Sequence, residues 1–234
     1  MTHSKMGDLN PKIAKKEIIE STPKGFINCH AGALPFYRGR NPLNWAIING
    51  ESTFGITVHY VDEGIDTGDI IEQRHYPITV HDTYASLLDL AVFECAEVLF
   101  SALRKISKNT VQRIEQKNIH PVGTYFGIRT NGDEIIDFNW SAERCFNFIR
   151  AITSPGPRAR FFLNKEEYGI ESAELIPNAP QYISTVGEVV GRGDKGVIVK
   201  VGDTTLLLTK ILNTEGEIIT PKFKIGTRLN HGLI

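Results

Sequence analysis

A chain of 234 residues with 26 Lys and Arg against 27 Asp and Glu carries a formal net charge of -1, and its pI of about 6.7 argues against nucleic-acid binding mainly through bulk positive charge, a local basic patch staying open. Hydrophobic residues at 41% and charged residues at 23% are ordinary for a globular protein, with length enough for one large or two small domains. No apolar run approaches a membrane span, Met1 to Ile13 lack the apolar stretch of a signal peptide, and Cys29, Cys95 and Cys145 form neither a disulfide framework nor a zinc pattern. A cytoplasmic protein with buried, free thiols is the expectation.

In chain order, Asn10-Pro11 ahead of Ile13, Ala14, Ile18 and Ile19 predicts a short helix, broken by Ser21 to Lys24. Phe26, Ile27 and Cys29 read as the end of a buried strand, and because strand side chains alternate, Asn28 and His30 share one face. The strand runs into a loop rich in Gly, Pro and Arg, and ligands of open α/β sheets bind beyond the carboxyl ends of strands. Asn41 as N-cap and Pro42 at the first helical position open a short helix closed by Asn49-Gly50. Phe54 to Tyr60 and Ile70 to Tyr76 predict two strands around an acidic loop, Asp62 to Asp69, with Asp66 at its centre. Asp82-Thr83 then caps a long amphipathic helix carrying Tyr84, Leu87, Leu88, Ala91, Val92, Cys95, Val98, Leu99 and Ala102.

Asn109 to Pro121 is polar and reads as a linker. Thr124 to Arg129 and Glu134 to Phe138 flank Asn131-Gly132, a hairpin signal, and Ser141 begins a helix through Ile152 that Ser154-Pro155-Gly156-Pro157 ends. Arg160 to Leu163, Val186 to Val190, Gly196 to Val201 and Thr204 to Ile211 predict short strands of a small barrel. The division expected is 1–112, a partial catalytic domain; 113–157, linker, hairpin and helix; and 158–234, a small β-rich domain.

Asn28-Cys29-His30, with Leu34-Pro35, Arg38-Gly39 and Asp62-Glu63-Gly64-Ile65-Asp66-Thr67-Gly68, resembles the family that transfers a formyl group from 10-formyltetrahydrofolate to an amine. The resemblance covers nearly all of residues 25 to 230, including Gly187-Glu188-Val189 through Leu206-Leu207-Leu208-Thr209. It implies an α/β fold, a Rossmann-like formyltransferase core followed by a small β-barrel-like domain. In the family, β-α units of a parallel sheet precede the equivalent of the Asn28 strand, so a core lacking its N-terminal part is expected here. The resemblance further implies Asn28, His30 and Asp66 as the catalytic trio, Asp62, Gly64 and Ile65 at the folate cosubstrate, and no metal. Where many relatives have Ser after the His, this chain has Ala31-Gly32-Ala33.

The chemistry fits the residue types. A neutral amide N–H such as that of Asn28 stabilises a tetrahedral oxyanion by roughly 3 to 4 kcal/mol when well placed. His30 can take the proton of an attacking amine, and Asp66 can orient or charge-stabilise it, or relay the proton itself if burial raises its pKa. Asp62 is read as a turn former. Tyr37, Arg38 and Arg40 are candidates for an anionic acceptor, against the alternative of a solvated basic loop. His59, His75, His81, His120 and His231 are read as structural or exposed, with His59 set apart because its strand leads into the Asp66 loop.

Two acceptors stay open within the resemblance. Arg38-Gly39-Arg40-Asn41-Pro42-Leu43-Asn44-Trp45 is similar to enzymes that formylate 4-amino sugars on nucleotide carriers, while methionyl-tRNA formyltransferase shares the trio and the two-domain plan. Arg158 to Ile234 holds ten Lys and Arg against nine Asp and Glu, a weak match to tRNA. A glycinamide ribonucleotide acceptor is disfavoured by the C-terminal half. The rival from another class is an inactive remnant or folate-binding module. An uncovered strand edge would favour a homo-oligomer.

Overall fold

The computed structural model describes residues 16–230. Its first element is one helical turn, α1 (Lys16–Ile19); the Asn10-Pro11 start of the predicted helix lies outside the described residues. β1 (Ile27–His30) leads into a loop holding the two-residue β2 (Arg38–Gly39), then α2 (Pro42–Ile48), β3 (Thr53–Tyr60) and β4 (Ile70–Pro77). The three longer strands form a sheet of order β1-β3-β4 with both pairings antiparallel. β1 has β3 as its one strand neighbour among the described residues, so it is half-exposed rather than the buried strand expected. Asn41 also departs from expectation: it sits in the left-handed region (φ 53°) and makes no side-chain capping bond, leaving the fixed φ of Pro42 to start α2.

α3 (Tyr84–Ser107) packs on this sheet through Leu87, Ala91, Val98 and Ala102, a helical spacing that keeps them on one face. Thr83 caps it in a reciprocal box: its hydroxyl accepts the Ser86 N–H and the Ser86 hydroxyl accepts the Thr83 N–H. Val92 lies around the helix from that face and is exposed. No helix among the described residues is long and apolar enough to cross a membrane. Cys145 is buried, Cys29 and Cys95 are half-buried, and all three are free.

The predicted linker and hairpin are both replaced. Ile114 exchanges backbone hydrogen bonds with Ile70, α4 (Gln116–Ile119) follows, and Gln116 is buried. β5 (Tyr125–Phe126) pairs in parallel with β2, so the residues that would form the first arm of a hairpin are already taken. Their reward is aromatic: Phe126 stacks on Tyr37 at 5.3 Å and on Trp45 at 4.9 Å. Asn131-Gly132 still makes a turn, closed by Asp133 accepting the Thr130 N–H, and Ile135 then bridges to Arg160.

α5 (Ala142–Ile152), capped by Ser141, precedes the C-terminal strands β6 (Ala159–Leu163), β7 (Glu166–Leu175), β8 (Val189–Gly193), β9 (Gly196–Lys200), β10 (Thr205–Leu212) and β11 (Ile218–Ile219). The sheet runs β6-β7-β10-β9-β8, with β11 on β10. It is barrel-like without closing strand to strand: Asn230 exchanges both backbone bonds with Phe162, and Leu229 donates to Gly187, so residues 227–230 lie in the gap. Phe138, Phe161, Ile170, Val199, Leu206 and Leu208 fill its interior. α5 is buried on most sides because it lies between this sheet and α2, where the Asn44 amide donates to the Ala151 carbonyl.

Candidate active site

Register builds the site. β1 and β3 pair Asn28 with His59 and His30 with Thr57, so the alternation that puts Asn28 and His30 on one face brings His59 to the same face. The Asp62 to Asp69 loop then folds Asp66 over that face. Asp66 Oδ2 lies 3.7 Å from His30 Nδ1, Oδ1 lies 3.5 Å from His59 Nε2, and the Asn28 amide nitrogen is 3.4 Å from Oδ1 and 3.3 Å from His59 Nε2. The three predicted catalytic residues thus meet at one carboxylate, with His59 as a fourth member. His59, read as structural or exposed but set apart from the other histidines, is 2% exposed and lies in the cluster. His75, His81 and His120 are exposed, and His231 lies outside the described residues.

Hydrogen-bond chemistry assigns the neutral tautomer of His30. His30 Nε2 is 2.7 Å from the Tyr37 carbonyl, which only accepts, so Nε2 carries the hydrogen and the Nδ1 lone pair faces Asp66. His59 Nδ1 lies 2.7 Å from the Tyr60 carbonyl, to which it donates, and Nε2 faces both the Asn28 amide at 3.3 Å and Asp66 Oδ1 at 3.5 Å. Burial pushes the His30 imidazole below the ordinary histidine value, and the neighbouring Asp66 charge recovers part of the shift. Burial alone would raise the Asp66 carboxyl, but the hydrogen bond with His59, the His30 charge and the Gly39 N–H at 2.9 Å outweigh it and hold the group at about 2. Asp66 is therefore ionised at neutral pH.

The backbone around the pair leaves little freedom. A Cβ on Gly32 would lie 2.5 Å from His30 Nε2 and 2.8 Å from the Tyr37 oxygen, in the middle of their hydrogen bond. Gly32→Ala is expected to break that bond without unfolding the chain, read by nitrogen NMR as loss of the slowly exchanging His30 Nε2–H signal at an unchanged far-UV spectrum. Retention of the signal would show that the added Cβ leaves the bond intact, and its absence from the parent would contradict the tautomer assigned here. In the acidic loop, Asp62 Oδ1 accepts the Gly64 N–H at 3.1 Å and the Thr67 hydroxyl at 2.6 Å, the turn-forming role expected. Gly68 has no room for a side chain, since a Cβ would meet the Tyr60 carbonyl oxygen at 1.9 Å. Gly64 and half-buried Ile65 stand beside Asp66 at the tip of this loop.

The basic loop differs from a free anion fork. Arg38 donates from Nε and Nη2 to Gln116 Oε1 and from Nη1 to the Val122 carbonyl, so its guanidinium is committed inside the protein. Tyr37 gives its hydroxyl to Glu51 at 2.5 Å. Arg40 is exposed, with no side-chain hydrogen bond among the described residues, and is the candidate of the three whose charge remains available. A cavity of about 380 Å³ opens beside the loop between Gly32, Tyr37, Ala46, Phe54, His75 and Phe126, apart from Asn28, His30 and Asp66. Sequence reasoning also missed Gln116, whose amide donates to the Asp66 and Gly68 carbonyls; a lone Gln in a polar stretch gives no signal. No group of three or more metal-binding side chains occurs among the described residues.

The chain matches the model of the formyl transferase family over residues 11–103 and that of the formyl transferase C-terminal domain over residues 129–225. It is 32% identical to a methionyl-tRNA formyltransferase of Ruminiclostridium cellulolyticum, over 86% of this chain and 63% of that protein. It is 36% identical to another, of Fusobacterium nucleatum subsp. nucleatum, over 93% of this chain and 72% of that protein. Among solved structures, an N-formyltransferase from Helicobacter canadensis in complex with folinic acid and dTDP-3-aminofucose superposes with a TM-score of 0.62 at 26% identity, covering 78% of this chain and 65% of that one. The chain thus spans about two thirds of the length of such relatives.

Proposed function

Because the chain belongs to the formyltransferase family, we propose that it moves the formyl group of 10-formyltetrahydrofolate onto a primary amine, and that this amine is the 4-amino group of a nucleotide-linked sugar. The observation that carries the reading is the convergence of Asn28, His30 and His59 on the Asp66 carboxylate.

In this reading the amine lone pair attacks the formyl carbon and the carbonyl pair moves onto oxygen. Asn28 sits on a half-exposed strand, and its amide contacts of 3.3 and 3.4 Å are weak enough to exchange for the oxyanion. The His30 Nδ1 lone pair takes the proton of the attacking nitrogen, and Asp66 stabilises the imidazolium that results. Collapse re-forms the carbonyl and breaks the bond to N10 of the folate, which receives the proton. The products are a formamide and tetrahydrofolate. Asp62, Gly64 and Ile65 would meet the folate, Tyr37 and Arg40 the acceptor.

The acceptor class is supported by the Arg38 to Trp45 run, by the near-neutral C-terminal half and by the amino-sugar nucleotide in the Helicobacter canadensis relative. A second reading, methionyl-tRNA, is favoured by the names of the two sequence relatives. Incubating the purified chain with 10-formyltetrahydrofolate and either acceptor, and weighing the products by mass spectrometry, separates them. One added formyl group on the sugar and none on methionyl-tRNA is expected. Formylation of tRNA alone would overturn the acceptor, and a folded chain inert toward both would leave the remnant or folate-binding module.

A further inference from the structure

We propose that Gln116 is a positioning residue for Asp66: its amide, clamped by Arg38, fixes the main chain of the acidic loop and with it the carboxylate on which the cluster converges. The inference rests on the functional reading above for what that carboxylate does, but not for how it is held.

Gln116 is 3% exposed, although it stands in the polar stretch between α3 and β5. A side-chain amide can donate two hydrogen bonds and accept two, and Gln116 makes all four. Its nitrogen donates to the Asp66 and Gly68 carbonyls, both at 2.8 Å, and its oxygen accepts from Arg38 Nε at 3.0 Å and Nη2 at 2.7 Å. The two ends face groups of opposite polarity, so a flipped amide would set N–H against guanidinium and oxygen against two carbonyls. Orientation is fixed.

The contacts close a ring. Gly39, the residue after Arg38, gives its N–H to Asp66 Oδ2 at 2.9 Å. Two consecutive residues therefore grip the same aspartate, Gly39 directly at the carboxylate and Arg38 through Gln116 at the main chain. Asp66 needs such a grip, because its φ of 53° lies in the region that residues with a Cβ avoid, and conformations of that kind persist only where the surroundings over-determine them. β2 and β5 pair at the same place, so the segment bearing Gln116 is docked at the site by main chain as well as by side chain.

Two variants test the role. Gln116→Ala removes the brace, and Gln116→Glu keeps its size and its grip on Arg38 but has no N–H to give the two carbonyls. Both are expected to lower kcat about 10- to 100-fold, the cost of misplacing a reacting group by about an ångström, with the KM for folate within about threefold of the parent. An activity-independent readout is His30 titration, followed by NMR of its ring carbon. The titratable groups facing His30 are Asp66, from the loop, and His59, from β3. Asp66 favours the His30 proton, so a slackened carboxylate lets His30 titrate at lower pH in Gln116→Ala, while Gln116→Glu, which adds a charge beside Arg38, is judged by kcat.

Parental kcat with unchanged His30 titration, or full activity in Gln116→Glu, would overturn the proposal, as would loss of the fold in both variants, which would make Gln116 a structural residue only. If Gln116→Ala alone fails to fold, Gln116→Glu decides. If the parent transfers no formyl group, the functional reading fails while the His30 titration still judges the brace.

Discussion

His30→Ala is expected to lower turnover about a thousandfold while leaving folate affinity within a few-fold of the parent, since general base catalysis contributes roughly 10²- to 10⁴-fold. The ring is buried at 8% exposure and its Nε2 is committed to the Tyr37 carbonyl, so Nδ1 is the one nitrogen able to take a proton from an attacking amine. The pH dependence has a definite sign. His30 accepts a proton as the free base, and burial holds its titration below 6.5, so kcat/KM rises with pH through a point below 6.5 and is level by neutrality. In His30→Ala that acid limb disappears together with the rate. Near-parental turnover, or an acid limb that survives in the variant, would remove His30 from the proton route.

Asp66→Asn is the second large effect, and it acts on stability as well as rate. The carboxyl falls from 3.8 to about 2 on folding, a shift equivalent to about 2 kcal/mol. Because the folded value is the lower one, this stabilisation is fully present above the unfolded value and is lost as pH falls through the folded one. Urea unfolding of the parent should therefore lose about 2 kcal/mol between pH 5 and pH 2 through this residue, and Asp66→Asn should lose that much less over the same range. Asparagine can still accept the Gly39 N–H but offers no charge to an imidazolium, so turnover should drop by at least a hundredfold. Equal acid sensitivity in the two proteins would show that Asp66 does not hold the loop.

Local periodicity made much of this molecule readable. Alternation at Phe54, Ile56, Val58 and Tyr60 located β3, helical spacing with Thr83 located α3, and the shared face of Asn28 and His30 followed from period two alone. What escaped depends on which segments meet. His59 joins the cluster because the register sets it opposite Asn28, and alternation in one strand cannot name its partner in another. Gln116 has no periodic context, and its value comes from two loops distant in sequence. β7 was not anticipated because Glu166, Glu167, Glu171, Ala173, Glu174 and Leu175 favour helix; pairing with β6 on one side and β10 on the other overrides that preference. The Asn131-Gly132 signal was sound as a turn and misleading as a hairpin, since β2 claimed the upstream arm.

The placement of α5 ties the fate of the cluster to residues far from it. A helix wedged between α2 and the C-terminal sheet, with Asn44 bonded to Ala151 across the seam, couples the two halves, and a single melting transition is expected for both. Damage deep in the β-rich half, such as a truncation at Phe161, then reaches the carboxylate as a smaller folded population rather than as a distorted geometry. Specific activity per folded molecule would then stay constant while its yield falls, and the half that carries the Asp66 cluster would draw its stability from its neighbour.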